Sequence, residues 1–210
     1  MPLWKPEAVW DGHDVFIIGG GDSLRTFDWQ LLKDERTIGC NTAFLLGVDI
    51  CKVCIFGDPK WFKKFKIEVA NYEGTLFTSH GEFRRTNLDW LWYIPRKVKG
   101  LGTDSLGWNN NTGANAINLA LIMGAKRVFL LGFDMQLSKA GKANYHDRPC
   151  DKPTKAVYKK FLKGLEKLKR DLPKVFPGRE IINITDDSRL NLFQKIGVKQ
   201  FFEERRSHAT

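Results

Sequence analysis

Val15-Phe16-Ile17-Ile18-Gly19-Gly20-Gly21-Asp22-Ser23-Leu24 decides the fold class. Four apolar residues, mostly β-branched, read as a buried strand. Three glycines and a short hydroxyl side chain follow at once. Such a turn lets backbone N–H groups approach a phosphate with no Cβ in the way. In a doubly wound α/β domain the first strand delivers its carboxyl end to the ligand crevice. The stretch is neither GxGxxG nor a Walker loop, so its weight depends on what the rest of the chain places beside it.

Outward from this strand, apolar runs alternate with helical patterns. A short helix is predicted around Phe27–Lys33, a second strand at Thr37–Cys40, and a brief helical segment from Asn41 to near Gly47. A third strand spans Lys52–Phe56. Asp58 then caps a helix opened by Pro59, with Trp61, Phe62, Phe65 and Val69 on its apolar face. A fourth strand covers Thr75–Thr78. From His80 to Asn111 the pattern is least regular: Trp90, Trp92 and Tyr93 suit a further strand, an antiparallel edge or an aromatic flap, and Gly100, Gly102, Gly107 and Asn109–Asn111 read as loop.

Order returns with a nearly uncharged helix over Gly113–Met123 and a fifth strand at Val128–Leu131. A polar loop, Met135–Pro153, leads into an amphipathic helix, Thr154–Arg170, with Val157, Phe161, Leu165 and Leu168 inward and lysines outward. The last strand is Glu180–Ile184, and Leu190–Ile196 reads as a short closing helix. The alternation predicts one α/β domain over residues 1–210: a single Rossmann-like, doubly wound, mostly parallel sheet with helices on both faces. Residues 80–111 and 135–153 are expected to serve as lid or acceptor loops.

The chain of 210 residues is 42% hydrophobic, enough for one sizeable core. No apolar run approaches the roughly 18 residues of a membrane span, and a soluble cytoplasmic protein is expected. Cys51 and Cys54 have a CxxC spacing, but Cys51-Lys52-Val53-Cys54-Ile55-Phe56 reads as a strand with buried thiols, so neither structural zinc nor a disulfide is expected. The net charge of +10 favours anionic partners: a nucleotide, a polyanionic acceptor or nucleic acid. A solvated basic surface is the plainer account of the same charge. A homo-oligomer interface is the plainer use of the tryptophans.

Polar residues gather at the predicted strand ends: Gly19–Ser23, Asn41, Asp58, Asn111-Thr112-Gly113, Asp134 and Thr185-Asp186-Asp187-Ser188. In a parallel sheet these ends share one edge and can converge on one crevice. Turn and cap chemistry alone enriches the same residue types. His146, in the loop after the fifth strand, is the candidate acid/base group, since imidazole can take a proton from a hydroxyl at neutral pH. His13 precedes the first strand, His80 follows the fourth, and His208 lies in the tail.

The order Ile18-Gly19-Gly20-Gly21-Asp22-Ser23-Leu24, Cys40-Asn41, Thr112-Gly113, Leu131-Gly132-Phe133-Asp134, His146 and Asp186-Asp187-Ser188 resembles the bacterial sialyltransferase-like superfamily. That group includes the Campylobacter-type sialyltransferases and phage-borne Rossmann-like proteins of the DUF115 kind, with the archaeal 6-hydroxymethylpterin pyrophosphokinase as a related name. The resemblance implies a nucleotide-dependent transferase, a glycosyltransferase using a nucleotide-sugar donor of the CMP type, with no tightly bound cofactor and no metal. Carried over, Gly19, Gly21 and Ser23 would line the phosphate end and Asn41 would hold nucleotide or sugar. Thr112 and Gly113 would contact the donor, Asp134 would begin the loop to the nucleotide, His146 would be the base, and Ser188 would sit near the nucleoside. Where the family holds the departing phosphate with two lid tyrosines, this loop carries only Tyr145. The alternatives are a pyrophosphokinase using ATP and magnesium on a pterin-like alcohol, and a noncatalytic nucleic-acid-binding protein.

Overall fold

The computed structural model describes residues 1–97, 99–107, 109–150 and 154–207. His208 and the last three residues of the 135–153 loop lie outside the described residues. The opening apolar run forms β1 (Asp14–Ile18), and the chain continues through β2 (Thr37–Cys40), β3 (Val53–Phe56), β4 (Thr75–Thr78) and β5 (Leu91–Tyr93). It then returns to the other side of β1 as β8 (Arg127–Leu131), β9 (Glu180–Asn183) and β10 (Gln194–Lys195). The order β10-β9-β8-β1-β2-β3-β4-β5 is parallel throughout. Strands buried on both faces need no alternation, which is why Val53–Phe56 and Val15–Ile18 are unbroken apolar runs.

Helices cover both faces. On one, α2 (Thr112–Ile122) and α3 (Lys155–Val175) bury Ile117, Leu121, Leu165 and Leu168 against Ile17, Ile55 and Leu130. On the other, α1 (Pro59–Ala70) and α4 (Val198–Ser207) bury Trp61, Phe65, Phe201 and Phe202 against Phe16, Phe56 and Phe129. The sheet is therefore doubly wound. Asp58 caps α1 as predicted, its Oδ1 accepting from Lys60 N at 2.8 Å with Pro59 at the first position. Among the described residues no helix is long and apolar enough to cross a membrane.

Two expectations need correction. The closing helix predicted at Leu190–Ile196 is absent. Leu190, Leu192 and Phe193 pack on one face of the sheet while Ile196 and Val198 pack on the other, so the segment crosses the sheet edge as β10 and the helix begins only at Val198. Of the readings open for the aromatic segment, the further strand is the one formed, and Leu91–Tyr93 joins β4 in parallel rather than antiparallel register. Its outer side is covered by residues 2–4: Tyr93 N donates to Pro2 O at 3.0 Å and Trp4 N donates to Tyr93 O at 2.9 Å.

The second correction concerns the stretch around 100–111, read as loop. A two-stranded ladder, β6 (Arg96–Lys97) with β7 (Leu106–Gly107), sits beside α2. Side-chain amides hold it there. Asn118 Oδ1 accepts from Gly102 N at 3.0 Å and Gly107 N at 2.9 Å, and Asn109 exchanges two bonds with Gly100. Amides buried in this way satisfy backbone groups that have no regular ladder.

Candidate functional site

The chain leaves β1 in one direction and comes back on its other side, so the exits of β1 and β8 diverge at a topological switch point. That is where ligands enter open α/β sheets. Two adjoining cavities, of about 540 and about 190 Å³, lie along this edge and share Gly20, Asn41, Asn111, Thr112 and Asn144. Gly19, Gly21, Asn41, Thr112, Gly113, Asp134 and His146 all line this crevice. Ser23 and Ser188 do not line it. Ser188 is buried under β8, where Oγ donates to Phe133 O at 2.6 Å and accepts from Asn183 Nδ2 at 3.0 Å.

The glycine turn is held by protein rather than left open for an anion. Gly19 N donates to Leu131 O at 2.7 Å and Gly21 N to Gly132 O at 2.9 Å. Ser23 clasps the Asp134 carboxylate twice, through N at 2.9 Å and Oγ at 2.6 Å. A Cβ on Gly21 would lie 2.0 Å from Asp134 Oδ1 and 2.7 Å from Gly132 O, and one on Gly19 would lie 2.6 Å from Gly132 O. These glycines are required by the close approach of two strand exits, not by backbone conformation. Burial raises the Asp134 pKa despite the bonds from Ser23, with Asp22 adding to the rise.

The opposite wall has polar atoms to spare. Asn111 caps α2, its Oδ1 accepting from Gly113 N at 2.8 Å, while its Nδ2 has no partner. Asn115, one turn on and only 5% exposed, gives Nδ2 to Ser79 Oγ at 3.1 Å and leaves Oδ1 without a partner. Asn41 Oδ1 is buried and unpartnered as well, on a residue held at φ 53°. Asn110 and Met135, also on the crevice, share that left-handed conformation. Among the described residues these three amide atoms are the buried side-chain groups without a partner, and all three belong to crevice residues.

Titratable side chains enter the crevice from two sides. Arg96 lines it half-buried, burial lowering its pKa while leaving it a cation. His146 lines the larger cavity, and its Nδ1 accepts from Arg148 N at 3.3 Å. Burial lowers its pKa, and Lys64, Arg25 and Arg148 push the same way against Asp147. The ring is therefore neutral near pH 7, with the lone pair on Nδ1 engaged and the proton on Nε2. Cys40 also lines both cavities, but burial pushes its thiol well up and keeps it protonated.

Both expected loops border the site. The second is strapped across it: Arg25 Nη2 donates to Asn144 O at 2.8 Å, Lys64 Nζ to Pro149 O at 2.8 Å, and Arg148 pairs with Glu68 at 2.6 Å. Tyr145 packs on Trp29 with 5.3 Å between ring centroids, and Trp90 packs on Phe62. Neither reaches the crevice, nor does the exposed Trp92. Tyr158 of α3 does reach the smaller cavity, and burial holds its hydroxyl protonated.

Sequence reasoning missed Asn115, Asn144 and Tyr158. An available signal was Asn115 and Asn118 within an otherwise apolar helix, since a buried amide must have a partner or a ligand. Cys51 and Cys54 are buried thiols at and before β3, donating to Val53 O and Asn41 O. No group of three metal-ligating side chains occurs among the described residues. The chain matches no protein-family profile, no curated protein and no solved structure.

Proposed function

We propose that the crevice binds a nucleotide and that the protein is a nucleotide-dependent transferase, most simply a glycosyltransferase with a nucleotide-sugar donor. The observation that carries this reading is the set of unpartnered amide atoms of Asn41, Asn111 and Asn115 at the switch point. Two acceptors and one donor, each buried, suit a ligand rich in hydroxyl, amino and carbonyl groups, as bases and sugars are. Leaving each one unpaired costs about 1–3 kcal/mol, which a bound ligand would offset.

With the N–H groups of Gly19 and Gly21 committed to β8, the phosphate is better served elsewhere. The amino terminus of α2 opens into the crevice, and the Arg96 guanidinium lines the same cavity. Tyr158 adds a neutral hydroxyl donor at the smaller cavity. His146 is the proton-transfer group. In its resting, neutral arrangement it can donate a hydrogen bond from Nε2–H to a departing phosphate oxygen without transferring the proton. Taking a proton from an acceptor hydroxyl requires the other tautomer, in which Arg148 N–H no longer donates to Nδ1.

Titration calorimetry with CMP, CDP, UDP and GDP tests the reading, with ATP plus magnesium as a parallel arm. Binding of at least one of the first four below about millimolar Kd is expected. No binding of any at that concentration would sink the proposal, and affinity for magnesium-ATP alone would transfer the site to a pyrophosphokinase. Once an acceptor is identified, His146→Ala is expected to cut turnover by about 10²–10⁴ while leaving nucleotide affinity within a few-fold.

A further inference from the structure

We propose that the exposed face of α3 is a track for a linear acidic glycan, the acceptor whose end it leads into the crevice; the acceptor role rests on the transferase reading above, the binding surface does not. Helix α3 holds eight cationic side chains and two acidic ones in its 21 residues, in a chain of net charge +10. Lys155, Lys159, Lys163, Lys167, Arg170 and Lys174 follow one another at intervals of three or four. They form one ridge, running about 22 Å from Lys155 to Arg170 at 1.5 Å per residue. Glu166 is the one carboxylate among them, and Asp171 lies at the margin.

The ridge lysines differ from the arginines elsewhere on the surface that are held in ion pairs. Arg25, Arg127, Arg148, Arg179 and Arg205 are each paired with a carboxylate. None of the five ridge lysines has an ion-pair partner among the described residues, and four of them are exposed. Like charges at i and i+4 repel, so the ridge opposes its own helix and is held by the apolar arc behind it, where Leu165 and Leu168 are fully buried. Its near end opens on the site: Val157, Tyr158 and Phe161 from the first turns of α3 line the two cavities.

The chemistry of the face selects the occupant. No large exposed apolar side chain lies on α3, so it has nothing to insert into a lipid surface. No exposed aromatic lies there either, and single-stranded nucleic acid is held by such stacking platforms as well as by charge. Evenly spaced ammonium groups without either feature read repeated charge alone, which an acidic glycan supplies.

Fluorescence anisotropy with labelled alginate oligomers, from about 50 to about 200 mM salt, measures the docking directly. Lys159→Glu/Lys163→Glu/Lys167→Glu is expected to weaken binding by more than about tenfold and to flatten its salt dependence. The matching glutamine triple guards against loss of the helix and is expected to fall between the two. Lys60→Glu/Lys63→Glu/Lys66→Glu on α1 changes the net charge equally and is expected to stay within about threefold of the parent. Equal loss in the α1 variant, no alginate binding by the parent at low salt, or tighter binding of an oligo-dT strand or of anionic vesicles would each overturn the proposal. Nucleotide titration of the same variants separates the two readings: the α3 triples should bind nucleotide as the parent does. Absent nucleotide binding with intact alginate binding would remove the transferase reading and leave the track.

Discussion

At the amino ends of the strands Asp14 takes two nitrogens of Arg127 at 2.8 Å and one of Arg205 at 2.7 Å, whereas at the carboxyl ends amide atoms of Asn41, Asn111 and Asn115 have no partner. The amino end is closed in every direction. Arg205 goes on to Glu35 at 2.6 Å, and Lys52 Nζ donates to Lys33 O, Glu35 O and Asp49 O. Arg179 reaches Asp11 at 3.0 Å. One sheet thus has an end whose polar groups answer one another and an end where three buried amide atoms do not; on the reading proposed above, stability belongs to the first and ligand selectivity to the second.

The sharpest way to break that division is to attack the one part of the carboxyl edge that is built like the amino edge. The β1 and β8 exits are clasped at Gly21, where an added Cβ would meet both a backbone oxygen and a carboxylate held by Ser23. Gly21→Val should lose more than about 3 kcal/mol of stability, read by urea unfolding. A variant within about 0.5 kcal/mol of the parent would show that the clasp yields.

A paired substitution, of smaller effect, sharpens the contrast. Arg205→Ala removes two ion pairs and the guanidinium over the Phe16 and Phe201 rings, and should cost about 1–2 kcal/mol with nucleotide affinity unchanged. Asn115→Ala removes an oxygen that already lacks a partner, together with the bond from Nδ2 to the buried Ser79 Oγ. It should cost about 1–2 kcal/mol of stability and, unlike Arg205→Ala, weaken nucleotide binding by about tenfold or more. Unchanged nucleotide binding would make Asn115 a packing residue.

The smallest effect is in the pH dependence, and its sign differs between the ends. Burial alone would raise the Asp14 pKa, but the bonds from Arg127 and Arg205 outweigh it and hold it below the ordinary value. Its contribution is therefore full above the unfolded carboxylate pKa and lost as pH falls through the folded one. Asp134, raised by burial, contributes most below the unfolded pKa, and that contribution is lost as pH rises through its folded value. Between about pH 3 and 6, Asp14→Asn should flatten the rise of the urea midpoint with pH, and Asp134→Asn should steepen it.

How much of this was legible in the sequence follows the same division. The strands were readable because residues such as Val53–Phe56 are apolar and partly β-branched, and those properties are local. So was the Asp58–Pro59 start of α1. The crevice glycines were visible, yet their reason was not, because Gly132 and Asp134 meet Gly21 across more than a hundred residues of chain. Asn118 shows the same limit: its bonds to Gly102 and Gly107 turn an apparent loop into a fixed layer, and an amide in an apolar helix announces that a partner exists but not which segment supplies it. Leu190–Ile196 misled because apolar residues destined for opposite faces happened to fall at helical spacing.

The strap of residues 2–4 along β5 has a consequence for how the molecule keeps to itself. A parallel edge strand with open N–H and C=O groups is a template on which another chain can add a strand. Here Pro2 and Trp4 occupy that template, and Trp4 is anchored by its ring against Phe77 at 5.4 Å. Stripping residues 1–4 would uncover Tyr93 and the half-open Trp92 together, and copies of the protein would then seed one another through β5 as concentration rises, a transition that light scattering would follow.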